Sequence, residues 1–262
     1  MPVTALRHRR SSDVRASRGV TETDSLAWEP VNESLQRKVL NGDPERGPHT
    51  LLLRSGPRPP GPAFAQYHPV DEELYCLGGD FTFDGSTWFR EGSYAFYPAY
   101  FVHGTRVHVR GGYFVYLRLS GESELFKVSS PRSDVPYYIG AGEPRDHAVQ
   151  LGDAAAAPSA ADGAAFAAAD PLRVVPLHVD ATTGAGSTLL TATEEAVGRV
   201  FEVAGPALLE LLALSGSFAT AGGACMRARG YLCETGDRPR LALECRQPGR
   251  LMISHQGGLR IG

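Results

Sequence analysis

Residues 66–103 read QYHPVDEELYCLGGDFTFDGSTWFREGSYAFYPAYFVH, and the rest of the chain is arranged around them. Short apolar runs alternate with glycine-bearing turns. The metal-capable side chains fall in two clusters, Gln66/His68/Glu72 and His103. Imidazole, carboxylate and amide groups gathered at strand ends suit a first-row divalent metal. Strands are expected at Phe64–His68, Glu72–Leu77, Phe81–Phe83, Tyr94–Tyr97, Thr105–Val109 and Gly112–Leu119, after an apolar segment from His49 to Arg54. Short strands at regular spacing, with no amphipathic helix between them, predict an antiparallel barrel or sandwich.

The composition narrows what this barrel can do. The chain has 262 residues, a 42% hydrophobic content, a formal net charge of -3 and a pI near 6.2. That balance offers no electrostatic attraction to nucleic acid or to an anionic membrane. No apolar run approaches the roughly 20 residues a membrane-spanning helix needs. The arginine-rich start, MPVTALRHRRSSDVRASRG, lacks the apolar core of a secretory signal, so a cytoplasmic location is expected. Cys76, Cys225, Cys233 and Cys245 fit that compartment as reduced thiols, and their spacing matches no zinc motif.

Residues 1–22 are polar and without period, and are expected to form a disordered tail. Residues 151–170 include the alanine-rich DAAAAPSAADGAAFAAA and are expected to link two domains, 23–150 and 171–262. The second domain repeats the first. A shift of 137 positions pairs Pro69 with Pro206, Glu73 with Glu210, Leu74 with Leu211, Gly79 with Gly216, Phe81 with Phe218 and Tyr94 with Tyr231. One ungapped shift of this kind marks a duplicated unit. The same shift places Gln66 on Val203, His68 on Gly205, Glu72 on Leu209 and His103 on Arg240, so metal is expected in the first copy alone.

These residues carry a resemblance to the cupins. The first cupin motif, G-x5-H-x-H-x3,4-E-x6-G, is met by His68, Glu72 and Gly79, with Gln66 where the first histidine usually stands. The second, G-x5-P-x-G-x2-H-x3-N, is met by Gly92, Pro98 and His103, with Tyr100 at the inner glycine and Val107 at the asparagine. The leading glycine, Gly61, lies one position closer to Gln66 than the pattern asks. The text around both motifs is similar to cupins related to anti-sigma-factor cupin domains and acetylacetone-type dioxygenases. The resemblance implies an all-β fold of two tandem double-stranded β-helix barrels, the second degenerate.

Strand alternation supports the site independently. Gln66 and His68 share a face, as do Glu72, Leu74 and Cys76. His103, Thr105, Val107 and Val109 are expected inward, and His108 outward. Glu73, next to Glu72, is expected on the solvent side. His68, Glu72 and His103 then form a two-histidine, one-carboxylate face of the kind found in non-haem iron(II) oxygenases. Gln66 is a further amide-oxygen ligand or a hydrogen-bonding neighbour, and Tyr100, close to His103, narrows the barrel mouth.

The resemblance implies a metal-dependent oxygenase of a small organic molecule, with iron(II) as the ion and zinc, nickel or manganese as alternatives. A non-redox isomerase, cyclase or lyase at the same metal competes with it, as does a non-catalytic sensor or stabilising protein. Barrels of this kind often pair by exposed strand edges, so a homodimer is a further expectation.

Overall fold

The computed structural model describes residues 19–59, 65–104, 107–128, 137–139, 146–151 and 171–262. The described residues form two compact units, one from Trp28 onward through the first half and the other holding residues 19–27 together with 171–262. Regular structure is almost wholly β, as the alternating apolar pattern predicts, and every strand pairing is antiparallel.

In the first unit an eight-stranded sheet runs in the order Ala148–Gln150, Tyr94–Tyr97, Glu72–Thr82, His108–Leu119, His49–Ser55, Leu35–Gly42, Glu29–Pro30, with Trp88–Phe89 also paired to Glu72–Thr82. Two small ribbons accompany it, Ala65–Tyr67 with Phe126–Val128 and Phe101–Val102 with Tyr137–Tyr138. The inward positions of these strands, among them Leu51, Leu74, Phe81, Tyr97, Val109 and Val115, close into one apolar cluster. Each such side chain removed from water stabilises by about 1.5–3 kcal/mol.

Two expected boundaries differ. Phe81 and Thr82 continue the strand that begins at Glu72, and the separate strands expected at Thr105–Val109 and Gly112–Leu119 are one strand over the described residues, His108–Leu119. The glycines that read as turns are bulge positions inside paired strands. Gly79 has φ 103° and Gly112 φ 89°, and a Cβ on Gly79 would lie 2.2 Å from the Gly112 carbonyl oxygen. Only glycine permits that approach.

The second unit is a nine-stranded sheet whose strands repeat the first in place and register. Leu35–Gly42 and His49–Ser55 return 137 positions later as Leu172–Val179 and Gly186–Ala192. The pairs Glu73↔Phe96 and Tyr75↔Tyr94 return as Glu210↔Cys233 and Leu212↔Tyr231. The tail expected through residue 22 is corrected at its end. Thr21–Glu22 form a strand against Gly230–Thr235 and Thr23 is fully buried, because edge hydrogen bonds of the second unit's sheet are satisfied by this segment. Residues 21–27 therefore go with the later unit. Residues 1–18 and 152–170, which hold most of the expected tail and linker, and Gly61 and Thr105 lie outside the described residues.

Candidate metal centre

Three strand ends bring the candidate donors together. Gln66 and His103 face each other across a β-bridge, with Gln66 N donating to His103 O at 2.7 Å and His103 N to Gln66 O at 2.9 Å. Partners in such a bridge project to the same side. His68 follows Gln66 by two residues, and Glu72 opens the long strand opposite Tyr97. Glu72 Oε2 lies 3.1 Å from His103 Nε2 and 3.9 Å from His68 Nε2.

Both imidazoles are oriented from behind. His68 Nδ1 lies 2.6 Å from the Glu124 carbonyl oxygen and His103 Nδ1 lies 3.1 Å from that of Phe101. An N–H donated to a backbone carbonyl fixes the tautomer and leaves the Nε2 lone pair on the carboxylate side, as in histidines that bind metals. Glu72 Oε2 and His103 Nε2 are buried, and neither makes a hydrogen bond of acceptable geometry despite their closeness. Two orphaned buried donors, Glu72 Oε2 and His103 Nε2, beside the second imidazole, that of His68, fit a divalent cation in type and direction. Among the described residues no three His, Cys, Asp or Glu side chains already surround one metal position. The Glu72–His103 pair is the tight part, and His68 is the member that must close in.

The electrostatics agree with a site of positive potential around one carboxylate. Burial pushes the Glu72 carboxyl up, but the charge of His68 and the adjacent His103 outweigh it, and the group is held below its usual range. The Tyr97 ring stacks on His103 with centroids 4.1 Å apart, and Phe83 meets the same imidazole edge-on at 5.7 Å. Burial, with the charges of Glu72 and Asp84, drives the Tyr97 phenol well above its ordinary value, so it stays protonated.

The remaining expected residues are placed as follows. The Gln66 side chain lies against Gly104, where a Cβ would come within 3.1 Å of its Cγ. Tyr100 is 47% exposed and takes φ 66°, the left-handed backbone that the motif's glycine would adopt freely. Its ring neighbours Tyr67, not the imidazoles. His108 is half-buried with its ring against Trp88. Glu73 corrects the expectation of a solvent-side charge. It is buried, accepts from the Tyr94 hydroxyl at 2.7 Å and pairs with Arg118 at 2.6 Å, because strand pairing sets Arg118 directly across from it.

Tyr97 and the Glu124 carbonyl were missed as parts of the centre. Alternation along Tyr94–Tyr97 puts Ala95 and Tyr97 inward and signals the first, whereas a backbone carbonyl leaves no trace in sequence.

The second unit has lost these groups. Val203 and Leu209, at the places of Gln66 and Glu72, are fully buried in an apolar core. A Cβ on Gly205, at the place of His68, would meet Leu209 Cδ2 at 3.0 Å, so leucine occupies the space of the imidazole. Arg240 is corrected as the counterpart of His103. Pairing of Val203 with Leu241 assigns that place to buried Leu241, while Arg240 makes an exposed ion pair with Glu202 at 3.3 Å.

Residues 16–120 match the family described as the ChrR cupin-like domain. Solved structures extend the likeness to both units. A candidate dioxygenase from Nostoc punctiforme is 16% identical with TM-score 0.68, over 94% of this chain and 88% of that one. For the whole chain the likeness is one of fold. Two more structures share the two-barrel fold at lower identity. Pirin YhhW of Escherichia coli, in complex with nickel(II), is 7% identical with TM-score 0.54, over 93% of this chain and 99% of its own. A Bacillus subtilis oxalate decarboxylase variant is 10% identical with TM-score 0.54, over 95% and 80%. No curated protein matched the chain. Among its described residues no helix is long and apolar enough to cross a membrane.

Proposed function

We propose that the protein is a bicupin and a metal-dependent enzyme whose first unit holds one divalent ion on His68, Glu72 and His103, with Gln66 beside them, and acts on a small organic molecule as a dioxygenase. Iron(II) is the ion this reading takes. The observation that carries it is the buried Glu72 Oε2 facing two Nε2 atoms whose rings are tied back through Nδ1. The likeness to the candidate dioxygenase of Nostoc punctiforme supports the same choice.

A bound ion at this place supplies Lewis acidity and one-electron chemistry. The chain's own groups do the rest. The Glu124 and Phe101 carbonyls hold the two rings in register, and Tyr97 and Phe83 pack on His103 and keep water from its faces. The protonated Tyr97 phenol is available as a hydrogen-bond donor inside the cup.

Element analysis of the purified protein tests the reading, together with oxygen consumption over β-diketones under iron(II). His68→Ala and His103→Ala are expected to abolish bound metal while the fold is kept. Full metal in either variant overturns the assignment. Nickel(II) in the similarly folded pirin favours a second reading, in which zinc, nickel or manganese serves a non-redox isomerase, cyclase or lyase. Metal retention without oxygen uptake would select it.

A further inference from the structure

Beyond the donor set, the first unit carries a cation and a phenol on the inner side of its cup. Arg58 forms a β-bridge with Val109, its N donating to Val109 O at 2.9 Å and its O accepting from Val109 N at 3.1 Å. Val109 is 1% exposed and belongs to the cup's apolar cluster, so bridge geometry sends Arg58 to that same side. Arg58 itself is exposed, which puts its guanidinium at an open edge of the cup. Tyr113 packs on the same cluster, with its ring 5.0 Å from that of Phe81, and it pairs with Gly79, which has no side chain to compete for the space.

The phenol lies within electrostatic reach of the Arg58 guanidinium and of the metal-side carboxylate of Glu72. Burial lifts the Tyr113 hydroxyl to about 12, with Arg58 acting against that shift and Glu72 adding to it. Tyr113 therefore remains a donor at neutral pH.

The duplicated unit serves as an internal comparison. Ser55 pairs with Tyr113 in the first unit, and its counterpart Ala192 pairs with Gly249 in the second, so the phenol is gone. Cys245, which pairs with Phe218 as Val109 pairs with Phe81, donates its N to Arg199 O at 3.0 Å, so an arginine keeps the bridge position of Arg58. Phe81 is kept as Phe218 and the Tyr94–Glu73 bond as Tyr231–Glu210. The framework is thus repeated, and an arginine stays at its edge, while the Tyr113 phenol disappears along with the donors.

We infer that Arg58 and Tyr113 form a carboxylate-recognition edge, and that the substrate is an anionic oxo-acid with the guanidinium pairing its carboxylate and the phenol donating to it. This rests on the function proposed above. A guanidinium and a hydroxyl both donate to a carboxylate, and charge-assisted bonds of that kind discriminate strongly against a neutral analogue.

The test uses acetylacetone and 2,4-dioxopentanoate, which differ only by a carboxylate in place of one methyl. Both are titrated by calorimetry into the full chain loaded anaerobically with iron(II), and into the metal-free chain. Wild type is expected to bind the carboxylate compound about tenfold tighter than the neutral one. Arg58→Gln is expected to erase that preference and leave acetylacetone unchanged. Tyr113→Phe is expected to reduce it several-fold, with the melting temperature unaltered in Arg58→Gln.

Equal affinities in wild type, a loss shared by both compounds, or no binding of the carboxylate compound overturns the inference. Iron content of the same samples reports on the metal reading separately. A carboxylate preference removed by Arg58→Gln in the metal-free chain supports the edge even if iron fails to bind.

Discussion

The Tyr94 hydroxyl donates to Glu73 Oε1 at 2.7 Å, and 137 residues later the Tyr231 hydroxyl donates to Glu210 Oε1 at the same distance. All four side chains are buried, and each tyrosine lies on the strand beside its glutamate. A carboxylate buried beside a sheet strand needs its hydrogen bonds, and removing one donor leaves an acceptor short of a partner. Tyr94→Phe and Tyr231→Phe are each expected to cost about 1–3 kcal/mol in urea unfolding. Metal content should be unchanged in both. A neutral effect in either variant would show that the pair is not part of what stabilises the barrel.

Tyr100 makes the opposite prediction. Its backbone is pinned, with its N donating to His68 O at 2.7 Å and its O accepting from Ile139 N at 3.1 Å, while φ is held at 66°. A side chain in that region costs roughly 1–2 kcal/mol, which glycine avoids at a smaller entropic cost of its own. Tyr100→Gly is therefore expected to stabilise the first unit by about 0.5–1 kcal/mol in denaturant titration. Lower stability would mean that ring contacts such as that with Tyr67 outweigh the strain.

Much of this was legible in the sequence for a simple reason. Alternation has a period of two, so Gln66 with His68, and Glu72 with Leu74, are assigned a face by the sequence alone. Ungapped repetition likewise preserved register from Leu35 to Leu172. Three features were not legible. Gly79 and Gly112 look like turn residues in sequence, yet they serve a close approach of paired strands. Glu73 reads as solvent-facing until Tyr94 and Arg118 are seen across the ladder. The shift from Arg240 to Leu241 as the partner of Val203 reflects a one-residue change in pairing that a rigid offset does not register.

The cysteines separate by chemistry. Cys76, Cys233 and Cys245 are buried and Cys225 is half-buried, all as free thiols. Burial raises the Cys76 thiol to about 12, chiefly by desolvation, and raises Cys245 for the same reason. Thiolate is the reactive form, so one thiol, that of Cys225, is expected to react quickly with a disulfide reagent at pH 8. The other three should react only as the barrels unfold. Fast labelling in Cys225→Ser would contradict this order.

Glu72 fixes the acid limb of stability in the metal-stripped protein. Its folded pKa is lowered from the model-compound value of 4.5 by His68 and His103 against the opposing effect of burial. The unfolded chain thus binds more protons in the window between the lowered value and about 4.5, and stability falls as pH falls through it. The contribution is fully present above about 4.5 and is gone below the folded pKa. With chelator present, the stability of wild type relative to Glu72→Gln should be greatest near neutrality and shrink between about pH 5 and the acid limit. Burial pushes the Asp84 carboxyl up, but hydrogen bonds from Thr87 and Ser86 outweigh it and hold the group down to about 2; it titrates in both proteins and cancels in the difference. A gap that is flat with pH, or that widens on acidification, would mean that the two imidazoles do not hold Glu72 ionised.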